Sequence, residues 1–192
     1  MNHAEGLLTT CELALPDWLE PFLAGWREPL DTGAGRMRLA VALAAENVAQ
    51  QTGGPFAAIV VEERSGRLLG AGVNRVTALG LSLAHAEMLA LSLAQRVVAD
   101  WNLGAHTEVQ LVTSCEPCAM CFGAVPWSGV SSLLWGARKE DAEAAGFDEG
   151  DKPLDWVATL EARGIRTSGD VLRDEAAAVL ASYASGDGAI YH

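Results

Sequence analysis

Apolar residues recur along this chain with two different periods, and the alternation between them predicts most of its elements. Within residues 35–50, Met37, Leu39, Ala40, Leu43, Ala44 and Val48 return on one face of a helix, which Gly53-Gly54 ends. A short apolar run, Ile59-Val60-Val61, then lies within residues 55–62 and reads as a buried strand. Arg64-Ser65-Gly66-Arg67 makes a turn, and residues 68–73 return as a second strand, so the two form an antiparallel hairpin. Residues 77–83 are a loop leading into a long helix over 84–99. A third strand covers 108–113, a helix opens at Cys118 and is closed by Pro126 and Gly129, and a fourth strand covers 130–135. A helix over 154–162, a short strand near 165–171 and a helix over 173–183 follow.

After the hairpin, strand and helix alternate, which calls for a largely parallel sheet with helices on both faces. The predicted class is therefore α/β, a three-layer α-β-α fold. Its five-stranded mixed sheet has an N-terminal antiparallel hairpin, with the remaining strands largely parallel. Residues 1–34 differ in texture: Pro16, Pro21 and Pro29 alternate with Trp18 and Trp26. They read as an N-terminal extension with short helical pieces, packed on a domain that spans 35–192. No role for the extension is legible.

Composition narrows the setting. The 192 residues suffice for one α/β domain, and half of them are hydrophobic, so long disorder is excluded. No apolar stretch is long enough to span a membrane, and residues 1–10 lack the pattern of a secretory leader. A cytoplasmic protein is expected. The formal net charge of −12 opposes binding to a polyanion, so a small uncharged substrate fits better than tRNA or DNA.

Three of the four cysteines, Cys115, Cys118 and Cys121, fall within seven residues, a spacing suited to metal rather than to disulfides. Proline is favoured at the first helical position, so Pro117 is read as opening a helix with Cys118 and Cys121 one turn apart. Cys115 is then left on the preceding loop as a small buried side chain. About thirty residues upstream stands His85-Ala86-Glu87, in the first turn of the long helix. One imidazole and two thiolates fill three tetrahedral positions of one Zn2+ per chain, leaving the fourth for water or hydroxide. Glu87 is then placed to move protons rather than to bind metal. H-x-E followed by P-C-x-x-C is the known signature of zinc-dependent nucleobase deaminases.

These motifs, with Gly54-Pro55-Phe56-Ala57-Ala58 and Asn74-Arg75, resemble the cytidine and deoxycytidylate deaminase superfamily. Cys121-Phe122-Gly123-Ala124, Trp127 and Gly146-Phe147-Asp148-Glu149 resemble its guanine deaminase branch, bacterial type. The resemblance implies a cytidine-deaminase-like fold, a homodimer, and hydrolysis of guanine to xanthine and ammonia, a step of purine catabolism. It implies that Glu149 binds substrate and carries a proton to the departing amine, with Asp148 the near alternative. Composition alone makes Glu149 one of several acidic residues on a solvated loop. Asn74 is expected to hydrogen-bond the ring edge, Phe56 and Trp127 to wall the substrate, and His85 to stack on it. Tyr191 is a candidate for closing the site. The rival substrates are ammeline, guanosine and cytosine or cytidine. A tRNA- or DNA-editing deaminase, or a zinc module without catalysis, are the rival classes.

Overall fold

The computed structural model describes residues 6–186 and 188–191. Its centre is a five-stranded sheet of β1 (Ala57–Glu62), β2 (Leu68–Val73), β3 (Val109–Cys115), β4 (Ser132–Ala137) and β5 (Arg166–Ser168), in the order β2-β1-β3-β4-β5. β1 pairs antiparallel with both β2 and β3, while β3, β4 and β5 run parallel. That is the mixed sheet expected. β1 is buried on both faces, which is why it reads as a continuous apolar run rather than an alternation. Ala58 and Val60 face one core, and Ala57, Ile59 and Val61 the other.

The helices are α1 (Leu19–Gly25), α2 (Gly33–Ala49), α3 (Val76–Leu79), α4 (Ala86–Val98), α5 (Ala119–Ser128), α6 (Lys139–Ala144), α7 (Trp156–Glu161) and α8 (Arg173–Ala184). One face of the sheet carries α4, α5 and α7 through Ala90, Val125 and Leu160. The other carries α2 through Met37, Leu39 and Leu43, and α8 through Ala176 and Leu180. Two glycines in β2 set the distance of α4. A Cβ on Gly70 would come within 2.4 Å of the Ala90 carbonyl oxygen, and one on Gly72 within 2.3 Å of that of Ala86. Bare backbone at these positions lets the start of α4 settle onto the sheet.

Several boundaries differ from expectation. The predicted loop after β2 contains α3, and α6 forms where no helix was expected. A cap explains α6: Asp141 accepts the Arg138 backbone N–H at 2.8 Å and ion-pairs with Arg173. β3 extends through Cys115, so this cysteine ends a strand instead of lying on a loop, although it is buried as expected. Pro126 does not close α5. It sits inside the helix, which runs on to Ser128 before Gly129, at φ 78°, ends it. A proline inside a helix removes one backbone donor. Among the described residues, no helix is long and apolar enough to cross a membrane.

Candidate active site

Two helix starts meet at the carboxyl ends of the strands, where open α/β sheets bind ligands. His85 is the N-cap of α4, with φ −70° and ψ 152°, and Glu87 lies in the first turn. Cys118 is the N-cap of α5, with φ −63° and ψ 173°, and Cys121 follows one turn later. Pro117 therefore precedes the cap instead of being the first helical residue, and His85 stands just outside its helix instead of in the first turn. The correction matters chemically. A cap residue is in extended backbone, so its side chain turns across the helix end rather than lying along the helix flank.

The ligating atoms of His85, Cys118 and Cys121 all lie within 4.8 Å of one another. His85 Nδ1 is 3.6 Å from the Sγ atoms of both cysteines. Ordinary Zn–S and Zn–N lengths at tetrahedral angles place such donors roughly 3.5 Å apart, so the three side chains fit zinc. Cys118 is already disposed to be a thiolate. A hydrogen bond from Cys121, and others involving His85, bring its pKa down to about 4 against the opposing effect of burial. The same contact with Cys118, together with burial, raises Cys121. Burial works against a charge on His85, but hydrogen bonding to Cys118 and the negative groups around it raise its pKa.

A small cavity of about 30 Å³ opens beside these donors, lined by Phe56, His85, Glu87, Glu116, Cys118, Phe147, Asp148, Glu149 and Tyr191. Glu87 and Glu149 are both buried. Burial, then the charge of Cys118, pushes the Glu87 carboxyl up. Burial, followed by Cys118 and Glu87, pushes Glu149 up to about 8, with Lys152 and His85 partly opposing. Asp148, by contrast, turns one carboxylate oxygen back to accept the Gly150 N–H at 2.8 Å. The walls are aromatic: Phe147 meets Phe56 edge-on at 4.8 Å and Tyr191 at 5.4 Å.

Residues 34–137 match the family model of the cytidine and deoxycytidylate deaminase zinc-binding region. The chain belongs to that family. The deaminase is similar to a structure of the guanine deaminase from Nitrosomonas europaea, at 45% identity and a TM-score of 0.88, over 94% of this chain and 99% of that one. It is also similar to an NE0047 mutant in complex with 8-azaguanine, at 46% identity and TM-score 0.87, over 93% and 99% of the two chains. Guanine deaminase of Bacillus subtilis is 38% identical over 125 residues, 62% of this chain and 77% of that protein.

The structure brings most of the expected site residues of the deaminase together, but not all. Trp127 is 76% exposed and does not line the cavity. It sits near the C-terminal end of α5, whereas the site gathers at the opposite end of that helix. Asn74 is buried at the end of β2, outside the cavity lining. Its Oδ1 accepts the Val76 N–H at 3.1 Å, which leaves its NH2 to donate. That amide faces the phenol of Tyr191, whose buried hydroxyl completes no hydrogen bond.

Sequence reasoning missed Phe147, Glu116 and Lys152. Phe147 stood inside the Gly146-Phe147-Asp148-Glu149 stretch, a signal that was present but attached to its neighbours. Lys152 had none. Its side chain is 3% exposed, and its Nζ donates to Glu116 Oε1 at 2.5 Å and to the Pro117 carbonyl at 2.6 Å, 4.6 Å above the ring of Trp156. It thereby ties the loop after Glu149 to the segment that delivers Cys118.

Proposed function

We propose that the deaminase converts guanine and water to xanthine and ammonia with one zinc ion held by His85, Cys118 and Cys121. The observation that carries this reading is the pair of buried carboxylates, Glu87 and Glu149, in a cavity shared with two of the metal-binding residues. Likeness to a guanine deaminase over nearly the whole chain supports guanine among the possible heterocycles. When bound, zinc supplies Lewis acidity that lowers the pKa of a coordinated water toward neutrality.

The reaction replaces the bond from guanine C2 to its exocyclic amine with a bond to oxygen. Glu87, made more basic by burial, takes a proton from the attacking water and delivers it to the neighbouring ring nitrogen. Ammonia leaves well only when the amine has gained a proton. Glu149 holds one at neutral pH, because its pKa is raised to about 8, and gives it to the departing group. The proton lost by the new hydroxyl as the carbonyl forms restores Glu149, so the protons balance. Phe56 and Phe147 wall the ring and exclude bulk water, the His85 ring stacks on it, and Asn74 donates to its edge.

Residues 1–34 are taken as an extension of the deaminase domain 35–192. The family match begins at residue 34, and Trp18, Leu19, Phe22 and Leu23 pack on the α2 side of the core. A homodimer in the cytoplasm, acting in purine catabolism, completes the reading; in a dimer the exposed Trp127 would find cover. The deciding experiment is an ammonia-release screen with guanine, guanosine, ammeline, cytosine and cytidine. Guanine should be preferred, and preference for any of the other four would overturn the substrate assignment.

A further inference from the structure

The N-terminal extension is tied to the substrate end of the sheet by a directed chain of hydrogen bonds. The Trp18 indole N–H donates to Thr52 Oγ1 at 2.9 Å. The Thr52 hydroxyl, having accepted, donates to Asn47 Oδ1 at 2.7 Å. Asn47, wholly buried, spends both protons of its NH2 on backbone carbonyls, those of Gly54 at 2.8 Å and Asn74 at 2.9 Å. The path runs in one direction, from the indole N–H to the two carbonyls, and the Thr52 hydroxyl also lies 3.4 Å from the Asn47 carbonyl oxygen.

Its far end is the rim of the site. The Gly54 carbonyl also accepts the N–H of Phe56, and the Phe56 carbonyl accepts the N–H of Asn74. A second thread converges on the same node: Arg75, the chain neighbour of Asn74, donates to the Thr52 carbonyl at 2.6 Å. The fit there is close. A Cβ on Gly53 would lie 1.8 Å from the Asn74 carbonyl oxygen, and one on Gly54 2.0 Å from the Tyr191 hydroxyl. Small displacements of residues 52–54 are therefore passed to Phe56, which lines the cavity, and to Asn74.

We propose that Trp18 and Thr52 are positioning residues: through Asn47 they hold the backbone that presents Phe56 and Asn74 to the substrate. The part concerning Asn74 rests on its reading as a ring-edge donor. Neither Trp18 nor Thr52 touches the metal-binding residues, so their influence should fall on substrate binding and not on the chemical step.

Trp18→Phe keeps an aromatic ring against Phe22, which Trp18 meets edge-on at 5.8 Å, and removes only the donor. Thr52→Val breaks both links at near-constant shape, and Thr52→Ser restores them. In the zinc-loaded, full-length protein, Trp18→Phe and Thr52→Val should raise KM about threefold to tenfold, the size of one lost hydrogen bond, with kcat within twofold and zinc content unchanged. Thr52→Ser should recover most of the loss. In an Asn74→Ala background, Trp18→Phe should lose at least half of its effect on KM, because coupled residues are not additive. Amide exchange at Phe56 and Asn74 should accelerate in both variants, a readout independent of which heterocycle is deaminated. Unchanged exchange at these two amides, or parallel losses of kcat and zinc, would overturn the proposal. Normal KM in Asn74→Ala alone would instead remove Asn74 from substrate binding, leaving the exchange result to decide the role of Trp18.

Discussion

The two halves of the site are built by different means. The metal-binding half comes from two short motifs, each delivered by a helix start resting on a buried strand. The rest of the cavity wall is gathered from Phe56, the 147–149 loop and Tyr191, with residues 52–54 and Asn74 packed behind it. The first is held by the core itself, with Cys121 wholly buried and α4 laid directly on the glycines of β2. The second hangs on a few hydrogen bonds and close backbone approaches. A site organised in this way separates its tasks. On the proposed roles, small changes at the rim should alter recognition and leave metal binding and proton transfer intact.

The sharpest way to break that separation is at the boundary, on Glu87. Glu87→Gln should keep zinc and lose at least about a hundredfold in turnover, the usual scale of general acid–base catalysis. Metal analysis and steady-state kinetics on one preparation would check it, and near-normal turnover would remove Glu87 from the mechanism. Glu149→Gln should cost about tenfold to a hundredfold in kcat, by loss of a proton donor. Asp148→Asn should stay within about threefold, because the Asp148 side chain is engaged with its own loop. Equal and minor losses in the two variants would return both carboxylates to the loop.

At the rim, Gly53→Ala forces a methyl group against the Asn74 carbonyl. The expected outcome is a rise in KM of about tenfold and a stability loss of roughly 1–3 kcal/mol from overpacking, with zinc retained. Metal loss instead would show that the two halves are not insulated. The smallest effect belongs away from the site. Asp141→Ala should cost about 1 kcal/mol through loss of the α6 cap. Hydrogen bonding from Arg173 lowers the Asp141 pKa despite the opposing effect of burial. A carboxylate lowered in the folded state stabilises above its unfolded pKa, and that contribution is lost as pH falls. The difference between variant and parent should therefore shrink below about pH 4, which denaturant melts across pH would show.

How much was legible follows the same division. The cluster of three candidate metal-binding side chains, Glu87 beside it and the mixed character of the sheet could be read because each rests on short spacings and local periodicity. Even there, tertiary contacts moved the details. Pro117 turned out to precede the Cys118 cap, and Pro126 sits within α5 although proline commonly ends a helix. Glu149 could not be separated from its acidic neighbours by composition, since only burial beside Cys118 distinguishes it from Asp148. Trp127 went the other way. An aromatic residue near the metal motif was expected to wall the pocket, but the direction of α5 carries it to the surface.

From the chain alone came the three candidate metal-binding residues and Glu87 as a candidate proton carrier, because metal ligation and proton transfer depend on residue types at near-neighbour separations. Only the tertiary structure decided what surrounds them: Phe147 as a wall, Lys152 as a buried cation, and Trp18 as the start of a path to Asn74. Those contacts join residues far apart in sequence, including a 34-residue separation from Trp18 to Thr52. No local pattern encodes such pairings, since each depends on how whole elements pack.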